Sequence, residues 1–190
     1  MIISYIGVII LSTKKITVTA IMTAVICLCS LITVPFFSVP FTMQTFGVFL
    51  ALEILGAKLG AASIGTYILL GLVGVPVFSG FGAGPAHIIG PTGGYIIGFL
   101  FTAIVYLVFE SLVKTGHEIT KWICRVVGLF VCYLIGTIWF VTVMGINGKS
   151  IGIGVALTMC VLPFIIPDMI KIIFAVYIGK LIKKYAVKEI

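Results

Sequence analysis

Charge is what this sequence has least of. Only 9% of its 190 residues are charged, and only five are acidic. Roughly a quarter of an ordinary soluble domain is charged, so a soluble fold is excluded. Cysteine occurs five times, at Cys27, Cys29, Cys124, Cys132 and Cys160, with neither zinc-finger nor CxxC spacing. These read as small packing residues, with no disulfide framework and no metal site expected. The glycine-rich stretch lacks the Gly-Lys-Ser/Thr ending of a nucleotide P-loop, so no ATP site is expected here. HExxH, GxSxG and paired acidic motifs are missing as well, and both histidines fall in loops or turns, so a membrane enzyme finds little support. No period of roughly 20–50 residues repeats. No linker divides the chain, which predicts one domain over residues 1–190.

What is there is apolar. The chain is 62% apolar with a mean hydropathy of +1.36. This composition defines an all-α integral membrane protein. Runs at 16–34, 46–56, 61–75, 95–113, 122–144 and 153–182 predict six spans. Residues 1–11 are apolar but too short to cross a bilayer, and read as an interfacial lead-in. The net charge of +7 does not form a basic stripe with interleaved aromatics, so no nucleic-acid partner is expected. The basic residues sit at the ends of the runs instead. With six spans, Lys14, Lys15, Lys58, Lys114, Lys121, Arg125, Lys180, Lys183, Lys184 and Lys188 share one side, Lys149 lies on the other, and Lys171 lies within the membrane. The positive-inside rule then places both termini in the cytoplasm.

The two long outward loops are uncharged. Residues 35–45 are punctuated by proline and aromatics, and read as a loop or re-entrant piece. Such backbone is tolerated at membrane depth only under protein cover. Residues 77–95 are dense in glycine and carry His87 alone as a titratable side chain other than tyrosine. A loop of that kind can close over a small ligand, pack helices closely or simply flex. In the first run Ala20 and Ala24 make a small-xxx-small pair, which would admit a second helix if the spacing is not chance.

Against this background Asp168 and Lys171 stand out. They sit three residues apart in the last run, just past Pro163 and Pro167. On a helix they share a face. An unpaired charge at that depth costs roughly 2.5–3.5 kcal/mol on insertion scales, and such residues mark function by default. The bland alternative is an ion pair that pins two helices. The two prolines predict local unwinding. An ammonium donor beside a carboxylate acceptor suits a neutral ligand such as a urea or amide.

Several motifs resemble the BioY family, the biotin-specific S components of energy-coupling factor (ECF) transporters. They are Val39-Pro-Phe-Thr-Met-Gln-Thr45, Gly56-Ala-Lys-Leu-Gly-Ala61, Gly71-Leu-Val-Gly-Val-Pro-Val-Phe78, Gly90-Pro-Thr-Gly-Gly-Tyr95 and Pro167-Asp-Met-Ile-Lys171. The resemblance covers about residues 16 to 182. It implies the S-component fold, a prokaryotic plasma-membrane location and biotin as ligand, with no cofactor. Asp168 and Lys171 would hold the ureido ring. Gln44 would hydrogen-bond the ligand, Tyr95 and Phe78 would pack on the thiophane ring, and Gly82 and Thr92 would help close the lid. Ala20 and Ala24 would meet the transmembrane coupling protein, which carries two ATP-binding subunits. Ile96 and Ile97 stand where some members carry a basic residue suited to the valerate carboxylate, leaving Lys149, His87 or loop N–H groups as its candidates. A solitary biotin transporter, or an S component for another vitamin, are the alternatives.

Overall fold

The structure, a computed structural model, describes residues 13–35, 39–112 and 117–185. The expected lead-in at 1–11 lies outside the described residues. Among the described residues five helices are long and apolar enough to cross a membrane. They are α1 (Thr13–Leu31), α2 (Gln44–Leu72), α4 (Gly93–Leu112), α5 (Glu118–Ile146) and α7 (Leu162–Tyr185). The short helices α3 (Pro85–Ile89) and α6 (Ile153–Cys160) accompany them, with two-residue strands β1 (Thr33–Val34) and β2 (Phe41–Thr42).

The second and third expected runs fall within α2, which is not straight. Gly56 adopts φ 76°, ψ 177°, a conformation essentially reserved for glycine. The chain reverses there. Gln44 Nε2 donates to the hydroxyl of Tyr67, 23 residues away, where a straight helix would separate them by about 35 Å. Gly60 permits the arms to close: a Cβ there would lie 3.0 Å from the Cα of Leu52. The expected turn over 56–60 is therefore a one-residue bend between arms 44–55 and 57–72. Glu110 Oε1 accepts from the Ala57 N–H at 2.9 Å and caps the second arm. That arm stops at Leu72 rather than Val75. Gly74, at φ 102°, ends it with the paired bonds Val75 N–H to Leu70 O and Gly74 N–H to Gly71 O.

Three further boundaries differ from expectation. The first helix ends at Leu31, because Thr33 and Val34 pair with Thr42 and Phe41. The 35–45 loop is thus tied into a small hairpin. The glycine stretch includes α3, with Pro85 in its first turn, where a missing N–H costs nothing. The run at 153–182 is two helices, broken at Val161 (φ −124°, ψ −58°). Helix α7 then continues through Pro167 instead of unwinding there.

The α2 arms sit at the centre, against α1, α4 and α7. Ile26, Val48, Phe49, Tyr67 and Ile172 are fully buried between them. Leu28, Phe130, Ile138 and Phe174 face outward. Apolar residues on both sides of a helix are what a lipid solvent demands. Near the bend of α2, Arg125 reaches in from α5. Its Nε and Nη2 donate to Glu53 Oε1 and Oε2 at 2.9 and 2.8 Å. Tyr106 also donates to Glu53. Arg125 is 1% exposed, so it is a buried clamp and not the interfacial charge its sequence position suggests.

Candidate ligand-binding site

The site lies at the opposite end of the bundle. One helical turn of α7 puts Lys171 Nζ 2.8 Å from Asp168 Oδ1. Both residues are about 95% buried, at 4% and 5% exposure. Two other elements fix the pair. From α5, the Tyr133 hydroxyl donates to Asp168 Oδ2 at 2.6 Å. From β2, the carbonyl of Thr42 accepts from Lys171 Nζ at 2.6 Å. The ammonium also lies 3.8 Å from the centroid of the Phe41 ring. Each carboxylate oxygen thus has a donor, and Lys171 is held by the strand that covers it.

A cavity of about 60 Å³ opens beside this pair. Gln44, Thr92, Tyr95, Asp168 and Lys171 all line it, from three separate parts of the chain. The Tyr95 ring rests on Gly136, where a Cβ would lie 2.2 Å from the ring. Its hydroxyl is 3.4 Å from that of Thr137. Gln44 is oriented by Tyr67, which in turn bonds Ser30 at 3.0 Å. Ser79 and Thr92 stand half-buried on the lining.

Phe78 and Gly82 do not line the cavity. Phe78 is fully buried behind it, stacked on His87 at 5.2 Å and edge-on to Tyr67 at 5.5 Å. Gly82 makes room for the same imidazole, which would be 2.2 Å from a Cβ at that position. These residues build the loop from within and present no surface to the cavity. His87 lies with them, its Nε2 3.4 Å from Ser79 Oγ. Burial pushes the His87 pKa down, which favours the neutral ring. Lys149 is exposed and off the lining. Ala20 and Ala24 lie on an exposed face of α1 with Thr17 and Ile21.

Two hollows are larger. One, of about 750 Å³, is an apolar groove between α5 and α6–α7, bordered by Phe130, Leu134 and Ile165. The other, of about 310 Å³, surrounds the Glu53–Arg125 clamp. Tyr133, Phe41 and the Thr42 carbonyl were not among the expected site residues. Tyr133 is 35 residues from Asp168, and no sequence spacing links them. Among the described residues no His, Cys, Asp and Glu group could hold a metal ion.

A bundle of apolar helices around a small chamber with one buried ion pair on its lining defines a multi-pass membrane protein with a polar site inside it. Its fold matches a crystal structure of the S-component for biotin from an ECF-type ABC transporter. That match has a TM-score of 0.77 and 30% identity, over 91% of this chain and 92% of the other. The biotin transporter BioY of Thermotoga maritima is 36% identical over 171 residues, 89% of this chain and 95% of that protein. A probable biotin transporter BioY of Pyrococcus horikoshii is 40% identical over 167 residues, 88% and 94% of the two chains. The model of the BioY family matches residues 4–188. The chain belongs to the BioY family, a multi-pass protein of the cell membrane.

Proposed function

We propose that this chain is the biotin-binding S component of an ECF-type transporter. The observation that carries the reading is the buried Asp168–Lys171 pair at the wall of a small cavity. A urea offers two N–H donors and one carbonyl acceptor. Asp168 accepts from the N–H side, and Lys171 donates to the carbonyl. Tyr133 keeps one carboxylate oxygen oriented while the other faces Lys171. Gln44 and Thr92 supply further polar contacts, and Tyr95 packs on the ring system. A ligand lacking the urea would leave two buried charges without its hydrogen bonds, which is how such a site discriminates.

The chamber is narrower than the roughly 300 Å³ minimum usual for ligand pockets. Binding therefore requires the β1–β2 hairpin and the 77–92 segment to move aside. Lys171 links this motion to the ligand, because the ureido oxygen competes with the Thr42 carbonyl for its N–H groups. The α2 arms together with the other four long helices make six passes, so both termini lie on one side. The basic residues favour the cytoplasm for that side. The chain acts as one domain and performs no chemistry. A coupling protein docked on the Ala20–Ala24 face, with two ATP-binding subunits, drives release inside.

Calorimetric titration of biotin into the purified chain in detergent tests this. Tight binding is expected for the wild type, with loss in a folded Lys171→Met variant. A well-folded wild type that ignores biotin would refute the assignment.

A further inference from the structure

The charge balance of the chamber bears on the far end of the ligand, and this step rests on the biotin reading. Asp168 and Lys171 are the charged residues on the lining, and they neutralise each other. Lys171 Nζ is already engaged by Asp168, by the Thr42 carbonyl and by the Phe41 ring. The covering segments add no cation. Residues 35–45 and 77–95 contain neither lysine nor arginine, and Phe36, Phe37 and Ser38 are uncharged. His87 is stacked behind the wall on Phe78, and Lys149 projects from an exposed turn off the lining. The other polar side chains on the lining, among them Gln44, Thr45, Ser79 and Thr92, are neutral.

We propose that this site reads the ureido bicycle of biotin and not the charge of its carboxylate, so that a neutral derivative of the same shape, the primary amide of biotin, is also its ligand. A hydroxyl can donate to a carboxylate and to an amide or ester carbonyl alike. A cationic side chain paired with the carboxylate would contribute about 10–100-fold in affinity, and the lining holds no cation beyond Lys171, which Asp168 already neutralises.

The test is competition of biotinamide and biotin methyl ester against labelled biotin on the full chain in detergent. Biotinamide, which keeps the shape of the carboxylate without its charge, is expected to bind within about fivefold of biotin, below the effect of one bond from a cationic side chain. Lys149→Ala should leave the biotin affinity unchanged. The proposal is upheld by retention of the amide even if the bulkier ester is rejected. It is overturned if the amide loses about tenfold or more, or if Lys149→Ala weakens biotin but not biotinamide. If biotin itself fails to bind, the biotin reading falls first and takes this inference with it.

Discussion

Two buried ion pairs occupy the two ends of this bundle, and they are built differently. Arg125 grips Glu53 with two parallel bonds, Tyr106 adds a third, and the Trp122 ring lies 4.8 Å from the guanidinium carbon. Lys171 meets Asp168 with one bond and spends another on a backbone carbonyl of the covering hairpin. A planar fork is suited to a fixed bidentate partner, whereas an ammonium is a point charge whose donors rotate. The first pair closes on its own helices and serves as a clamp. The second leaves a ligand room to compete. Burial alone does not distinguish a structural pair from a binding pair; the partners of each do.

The largest effects should separate the two ends. Arg125→Met leaves Glu53 buried without its partner, a change that costs about 3–5 kcal/mol of stability. Thermal unfolding in detergent should show the loss, while biotin affinity in the folded fraction changes little. Lys171→Met also leaves Asp168 without its cation and should cost stability, but unlike Arg125→Met it should lower affinity in the folded fraction by about 2–5 kcal/mol, as calorimetry on gel-filtered protein would show. If both variants merely unfold, the distinction collapses. Gly56→Ala places a side chain at φ 76° and should cost about 1–3 kcal/mol of stability through backbone strain, without altering ligand selectivity. Tyr133→Phe removes one donor to Asp168 and should weaken biotin about tenfold, near the value of a single hydrogen bond.

A smaller effect depends on pH and involves the cover alone. The half-buried His87 ring has a lowered pKa. Its contribution is intact above the unfolded value of about 6.5 and is lost as pH falls below it, because the unfolded ring takes the proton more readily. Mild acid should therefore loosen the 77–92 segment, and His87→Phe should remove that dependence. Hydrogen exchange of that segment at two pH values checks both statements.

Some of this was legible in the sequence, because it is local. The i,i+3 spacing of Asp168 and Lys171 put them on one face, and glycine at position 56 marked a break. Gln44, Thr92 and Tyr95 are placed on the chamber by motifs that resemble the family. The contacts between distant segments were not legible. Arg125 lies 72 residues from Glu53, and Tyr133 lies 35 from Asp168. Such pairs are set by how helices face one another, which hydropathy does not encode. Phe78, expected on the thiophane ring, and Gly82, expected in the lid, both seat His87 inside the loop, a packing between segments that the sequence does not display. At Val161 the break precedes Pro163, which then sits in the first turn of α7 and needs no donor.

The most direct test of the central claim is a cycle on the urea itself. The affinities of biotin and of its analogue with sulfur in place of the ureido oxygen would be measured for wild type and for Lys171→Met. If Lys171 donates to that oxygen, the wild type should prefer biotin clearly, and the preference should disappear in the variant. A preference that survives intact in folded Lys171→Met would show that the ureido carbonyl is read elsewhere, and that the pair on α7 is a structural feature only.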